Sequence, residues 1–109
     1  MCRALKVMCV AEDAEALSAL KRAAVSAQWE LTAGATDERA ALDQVGAERP
    51  HVLVVFGAFP LLLDLVRDRF PGMRVISDRQ ADGVTAVAGT LDEVRLLILG
   101  MPRAGGPVG

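Results

Sequence analysis

Branched apolar residues run without interruption through Val52-Leu53-Val54-Val55, between a turn signal at Pro50-His51 and the small loop Gly57-Ala58-Phe59-Pro60. Such a run, bounded by turn residues, predicts a strand buried on both faces, as in the middle of a parallel sheet. Leu5 to Val10 carries the same signature, and Ala11-Glu12-Asp13 is the loop that leaves it. The period then changes. Leu17, Leu20, Ala24 and Val25 recur at helical spacing, which predicts a helix capped by Asp13 and running to about Ala27. Trp29 to Ala35 predicts a weaker second strand with Gly34 near its end. Thr36-Asp37-Glu38 opens a second helix, with Ala41, Leu42 and Val45 on one face and Gly46 as its natural stop.

Pro60 suits the first turn of a third helix, where its missing amide would be unpaired anyway. Leu61, Leu62, Leu65, Val66 and Phe70 form its expected apolar side, and Pro71-Gly72 ends it. Met73 to Ser77 predicts a fourth strand and Val84 to Ala88 a fifth. Thr90-Leu91-Asp92-Glu93 is a capping box opening a last helix, with Leu91, Val94, Leu97 and Ile98 inward and Gly100 as its end. Strands alternate with helices, which predicts an α/β fold, a doubly wound parallel sheet with right-handed crossovers. One link breaks the pattern. Asp78 to Gly83 is too short for a crossover helix, which with its loops takes at least about 10–12 residues. A lost or reduced fourth crossover helix, replaced by an extended or single-turn link, is the expectation; strands that are not parallel neighbours are the alternative. The domain spans residues 1–100, and residues 101–109, rich in Pro and Gly, form a flexible tail or the start of a linker.

Composition narrows the function. A chain of 109 residues allows one domain, and 52% hydrophobic residues with only 4% aromatic imply a core of Ala, Val and Leu. A net charge of -2 with interspersed signs offers no footprint for direct nucleic-acid binding and no polybasic membrane patch. No apolar run approaches the roughly 20 residues of a membrane helix, and no signal peptide stands out, so a cytoplasmic location is the default. Cys2 and Cys9 make neither a disulfide framework nor, with His51 as the single histidine, a zinc site. Ser18, Ser26 and Ser77 lack a histidine base in any triad pattern, and Gly57-Ala58 lacks the spacing of a phosphate cradle. No cofactor fingerprint is present, and an enzyme is the least supported reading.

Three segments together resemble the receiver domains of bacterial two-component response regulators. Lys6-Val7-Met8-Cys9-Val10-Ala11-Glu12-Asp13-Ala14-Glu15-Ala16-Leu17 follows that family's opening, Pro50 through Pro60 its third strand, and Ala81-Asp82-Gly83-Val84 through Val87-Ala88 to Asp92-Glu93-Val94 its close. The resemblance covers residues 5 to 100 and implies a flavodoxin-like sheet in the order 2-1-3-4-5. It also implies where phosphorylation chemistry should sit: a carboxylate nucleophile ending the third strand, an acidic pair for a divalent metal, and a lysine on the fifth strand. This chain has Phe56 at the nucleophile position, Ala11 at the first acidic position and Val87 at the lysine, with Glu12 alone keeping its type. Ser77 is the best match to the family's hydroxyl residue at the end of the fourth strand, although strict counting also reaches Arg79.

Without an aspartate no acyl phosphate forms, and one carboxylate suits magnesium poorly, since that ion prefers octahedral oxygen ligation. Ala11, Glu12, Phe56, Ser77 and Val87 then outline a degenerate phosphorylation pocket on a scaffold that has lost its switch. Leucines beyond the need of one helix face, Leu61, Leu62, Leu63, Leu96 and Leu99, form either a partner surface or core facing the absent helix. The leading expectation is a phosphorylation-independent regulatory module in bacterial signalling or transcriptional control. It would act on a protein partner or on itself as a homodimer. The alternative is a small-ligand sensor that uses the vacated pocket.

Overall fold

The computed structural model describes residues 5–25, 29–70, 72–80 and 84–100. The order along the chain is β1 (Leu5–Ala11), α1 (Ala14–Ala24), β2 (Trp29–Leu31), α2 (Glu38–Glu48) and β3 (Val52–Phe56), followed by α3 (Pro60–Arg69), β4 (Arg74–Ser77), β5 (Ala86–Val87) and α4 (Leu91–Gly100). All five strands form one sheet in the order β2-β1-β3-β4-β5, and every pairing is parallel. The doubly wound α/β fold expected from the sequence is therefore present. β4 and β5 are parallel neighbours, which removes the alternative for the short link.

Alternation along the strands divides the core into two layers. Val7, Cys9, Val52, Val54 and Ile76 face α1 and α4, where Leu20, Ala24, Val94 and Ile98 meet them. Met8, Val10, Leu53, Val55 and Val75 face α2 and α3, against Ala41, Val45, Leu62 and Val66. Burying each Val, Leu, Ile or Met among them is worth about 1.5–3 kcal/mol, so β1 and β3, apolar on both faces, anchor the domain.

The helix ends show local and tertiary control at work. Asp13 Oδ1 accepts the Ala16 amide at 2.7 Å and Asp37 Oδ1 the Ala40 amide at 2.8 Å, each satisfying a donor that has no partner inside the helix. α1 stops at Ala24, short of Ala27, because the Trp29 indole donates to the Ala24 carbonyl at 2.7 Å and Val25 turns to extended backbone. α2 passes through Gly46 and ends two residues later, where Arg49 adopts the left-handed conformation with φ 47°. The Arg49 amide donates to the Val45 carbonyl and its guanidinium lies over the Phe70 ring, while Pro50 prevents continuation.

β2 is shorter than its apolar run because Gly34 takes φ +83° and turns its amide and carbonyl to the Gln44 carboxamide at 3.1 and 2.6 Å. The chain returns to β1 only as a bridge between Val10 and Ala35. β5 contracts to Ala86–Val87, flanked by Thr85, whose hydroxyl accepts the Val75 amide at 3.1 Å, and by Ala88, whose amide donates to the Ser77 carbonyl. No helix lies among the described residues between β4 and β5. In α3 the inward residues are Leu62, Leu63 and Val66, with Leu65 and Phe70 half-buried and Leu61 turned outward. In α4, Val94 and Ile98 are buried, but Leu91 at the first position is 36% exposed. The Glu93 half of its capping box is made, its carboxylate accepting the Gly89 and Thr90 amides at 2.7 and 3.0 Å. Pro71, residues 81–83 and the expected tail at 101–109 lie outside the described residues.

Candidate functional site

The carboxyl ends of β1, β3, β4 and β5 bring the expected site residues to one edge of the sheet. Register pairs Ala11 with Phe56, and Ser77 with both Val55 and Val87. Ala11 is fully buried at the tip of β1. Phe56 lies on the same strand face as Val52 and Val54, half-buried against the α1 and α4 layer. Val87 is 41% exposed at the sheet edge. None of the three can carry a proton, accept a phosphoryl group or hold a metal ion.

Beyond Phe56, Gly57 takes φ +126°, and a Cβ there would collide with the Glu12 side chain. Glu12 therefore folds over the loop that follows β3, which only glycine leaves room for. Ser77 is buried, and its hydroxyl accepts the Arg79 amide at 3.2 Å. Asp78 is a site residue with no role expected from its sequence position. Its Oδ1 accepts the Gly57 amide at 3.3 Å, lies 3.5 Å from the Ser77 hydroxyl, and receives Arg79 Nε at 3.2 Å. Arg79 Nη2 reaches Oδ2 at 3.3 Å, completing a two-point ion pair. An acid-base dipeptide directly after a buried strand was the available signal, since such residues sit at the functional edge of an α/β sheet.

The electrostatics follow from this arrangement. Partial burial works to raise the Asp78 pKa, but the Arg79 hydrogen bond, the Gly57 amide and the Arg79 charge outweigh it, leaving the carboxyl below its ordinary value. The Asp78 hydrogen bond and charge hold the Arg79 guanidinium above its ordinary value, with a smaller pull from Glu12. The result is a closed set of charges in which the carboxylate just past β4 ties down the β3 loop. Among the described residues no group of three or more His, Cys, Asp or Glu is placed to hold a metal ion. Cys9 is inert in the core, its thiol pushed up to about 12 by burial despite the charge of Lys21. His51 serves the strand entrance, with Nδ1 accepting the Lys6 amide at 3.0 Å.

The leucine surface needs correction. Leu62 and Leu63 are core residues at 0% and 8% exposure, because the side of α3 that meets β3 and β4 runs through them and Val66. Leu61, Leu96 and Leu99 are exposed, but α3 and α4 cover opposite faces of the sheet, so these three do not form one surface.

Comparison with solved structures places this architecture. The signal receiver domain of an HD domain-containing protein from Pseudomonas fluorescens Pf-5 superposes with a TM-score of 0.71 at 16% identity, over 89% of this chain and 92% of that one. The chemotaxis response regulator CheY4 of Vibrio cholerae gives 0.70 at 18% identity, over 89% and 97% of the two chains. The response regulator domain of Thermotoga maritima CheB gives 0.68 at 18% identity, over 89% and 92%. This chain has the receiver-domain fold. No protein-family model matches it, and no curated protein matches it by sequence. The receiver fold is thus present at low identity, with Phe56 and an internal ion pair at the carboxyl edge of its sheet.

Proposed function

We propose that this chain is a phosphorylation-independent, receiver-like regulatory module that acts through protein contacts, self-association among them, in bacterial signalling or transcriptional control. The observation that carries this reading is the tip of β3, where Phe56 packs against the α1 and α4 layer opposite Ala11. A phosphoryl acceptor at that point needs a carboxylate, and the carboxylate that meets the Gly57 amide, Asp78, is already held by Arg79. The module is not itself an enzyme on this reading. Its output lies in a separate protein or in a segment attached beyond residue 100, as a receiver domain is attached within the HD domain-containing protein of P. fluorescens Pf-5.

Incubation with acetyl phosphate and magnesium, followed by intact-mass measurement, is expected to leave the mass unchanged. Beryllofluoride with magnesium is expected to leave the amide NMR spectrum unchanged around Gly57. A phosphoryl adduct, or shifts confined to that edge, would overturn the proposal. A small-ligand sensor using the space bounded by Glu12, Phe56 and Ser77 draws less support. The Ser77 hydroxyl is engaged, and Glu12 lies over Gly57.

A further inference from the structure

We propose that the chain stacks head to tail, the amino edge of the sheet in one copy receiving the carboxyl edge of the next where α2 and α3 begin and end. The proposal deepens the reading above and rests on its premise that the module acts through protein contacts. In a parallel sheet each crossover helix starts at the carboxyl edge and ends at the amino edge. α2 and α3 pack side by side, so each edge carries one end of both helices. At the carboxyl edge the Glu38 carboxylate of α2 lies against the start of α3, where Oε2 accepts the Leu61 and Leu62 amides at 2.8 and 3.3 Å. Oε1 takes no donor among the described residues, and Leu61 beside it is 62% exposed. At the amino edge Arg49 follows the end of α2. Its guanidinium lies 6.0 Å from the ring centre of Phe70, which follows the end of α3.

Arg49 is the unusual member of this set. Its φ of 47° falls in the left-handed region that favours glycine, yet the position carries an exposed arginine. The Phe70 ring steadies the guanidinium, and among the described residues no carboxylate pairs with it. Glu48, its neighbour in the chain, is taken by Lys6 at 3.2 Å. An arginine held in place without an anion points to a carboxylate from outside the chain. Arg69 and Arg74 stand on the same edge and likewise have no ion pair among the described residues. At the opposite edge Asp13, Asp37 and Glu38 outnumber Arg39, since Arg79 is engaged by Asp78. The net charge of -2 conceals two edges of opposite sign.

The acidic edge of a second copy matches the basic edge in arrangement as well as in sign. α2 and α3 lie in the same order at both edges, so a copy displaced along these helices, without rotation, brings Glu38 to Arg49 and Leu61 to Phe70 together. The helix dipoles align as well, each amino-terminal end following a carboxyl-terminal end. Exposed ion pairs add little affinity, so Leu61 and Phe70 supply the contact while the charges choose which edges meet. The two surfaces differ, which makes the contact heterologous. It leaves a free edge at each end of a pair, open to a third copy.

Sedimentation velocity over a concentration series at low salt tests this on the full chain. The wild-type chain is expected to grow past a dimer as concentration rises, and high salt to weaken the series. Arg49→Glu spoils the amino edge and Leu61→Ser the carboxyl edge, and each alone should raise the dissociation constant by about tenfold or more. An equimolar mixture of the two variants should form a dimer and nothing larger, because the intact carboxyl edge of Arg49→Glu fits the intact amino edge of Leu61→Ser. Both positions are exposed, and circular dichroism is expected to show unchanged folding. A strictly monomeric wild-type chain at millimolar concentration, an assembly that stops at a dimer, or a mixture no tighter than its components would overturn the proposal. Acetyl phosphate separates the two readings. A monomeric chain that gains no mass overturns the stack alone and leaves the reading above to a separate partner protein. A phosphoryl adduct on a chain that stacks in this pattern supports the stack while overturning phosphorylation independence.

Discussion

Between β1 and β3 five residue pairs stay in register, whereas β4 and β5 share two. Val7, Met8, Val10, Leu53, Val54 and Val55 are fully buried at the centre, while Val87 at the β5 edge is 41% exposed. The central strands are loaded on both faces, by α1 and α4 on one side and by α2 and α3 on the other. The link into β5 has no helix among its described residues, and backbone bonds beside Thr85 and Ala88 hold the short strand in place. Parallel pairing is thus kept across a link with no helix among its described residues, and the strand it leads into is short. Stability concentrates at the centre, and Asp78 is the tie between the centre and the weaker side.

The contrast breaks most sharply in the core. Leu53→Ala is expected to cost about 2–5 kcal/mol in chemical denaturation, since the site is sealed on every side and collapses poorly. A loss near that of an edge substitution would refute the central role of β3. Asp78→Ala should cost less, about 0.5–1.5 kcal/mol, chiefly through the unpaired Gly57 amide. It should also alter the acid limb of stability. Because the folded Asp78 carboxyl lies below its ordinary value, its contribution is present above the pKa of the unfolded chain and fades as pH falls through the folded value. The gap between the thermal melts of the two chains is expected to narrow at low pH and to widen as pH rises. At the far edge, Val87→Thr should stay within about 0.5 kcal/mol of the parent, because half-exposed β5 loses little apolar contact and keeps its backbone bonds.

The same division explains what the sequence disclosed. β1 and β3 were legible because continuous apolar runs between turn residues admit few alternatives, and the short link after Ser77 already announced the missing helix. The phase of α3 was not. Leu61, Leu62, Leu63 and Leu65 satisfy two overlapping stripes, and only packing against β3 and β4 turns Leu63 inward and Leu61 out. α2 runs past Gly46 because a glycine costs an exposed helix only about 1 kcal/mol, and the helix ends where Arg49 turns left-handed ahead of Pro50. At the site, the spacing of Ala11, Phe56 and Ser77 was readable from a framework of matching segments. The Asp78 latch was not, since it depends on a carboxylate crossing from one strand end to the next loop.

Cys9 offers a use that its chemistry alone would not suggest. Its thiol lies in the middle of β1, sealed between the central strands and the α1 layer, and stays protonated at any physiological pH. An alkylating reagent can reach it only while the sheet is parted. In a chain whose Cys2 is replaced by serine, the labelling rate therefore counts the openings of the domain's interior, with no probe added to the molecule.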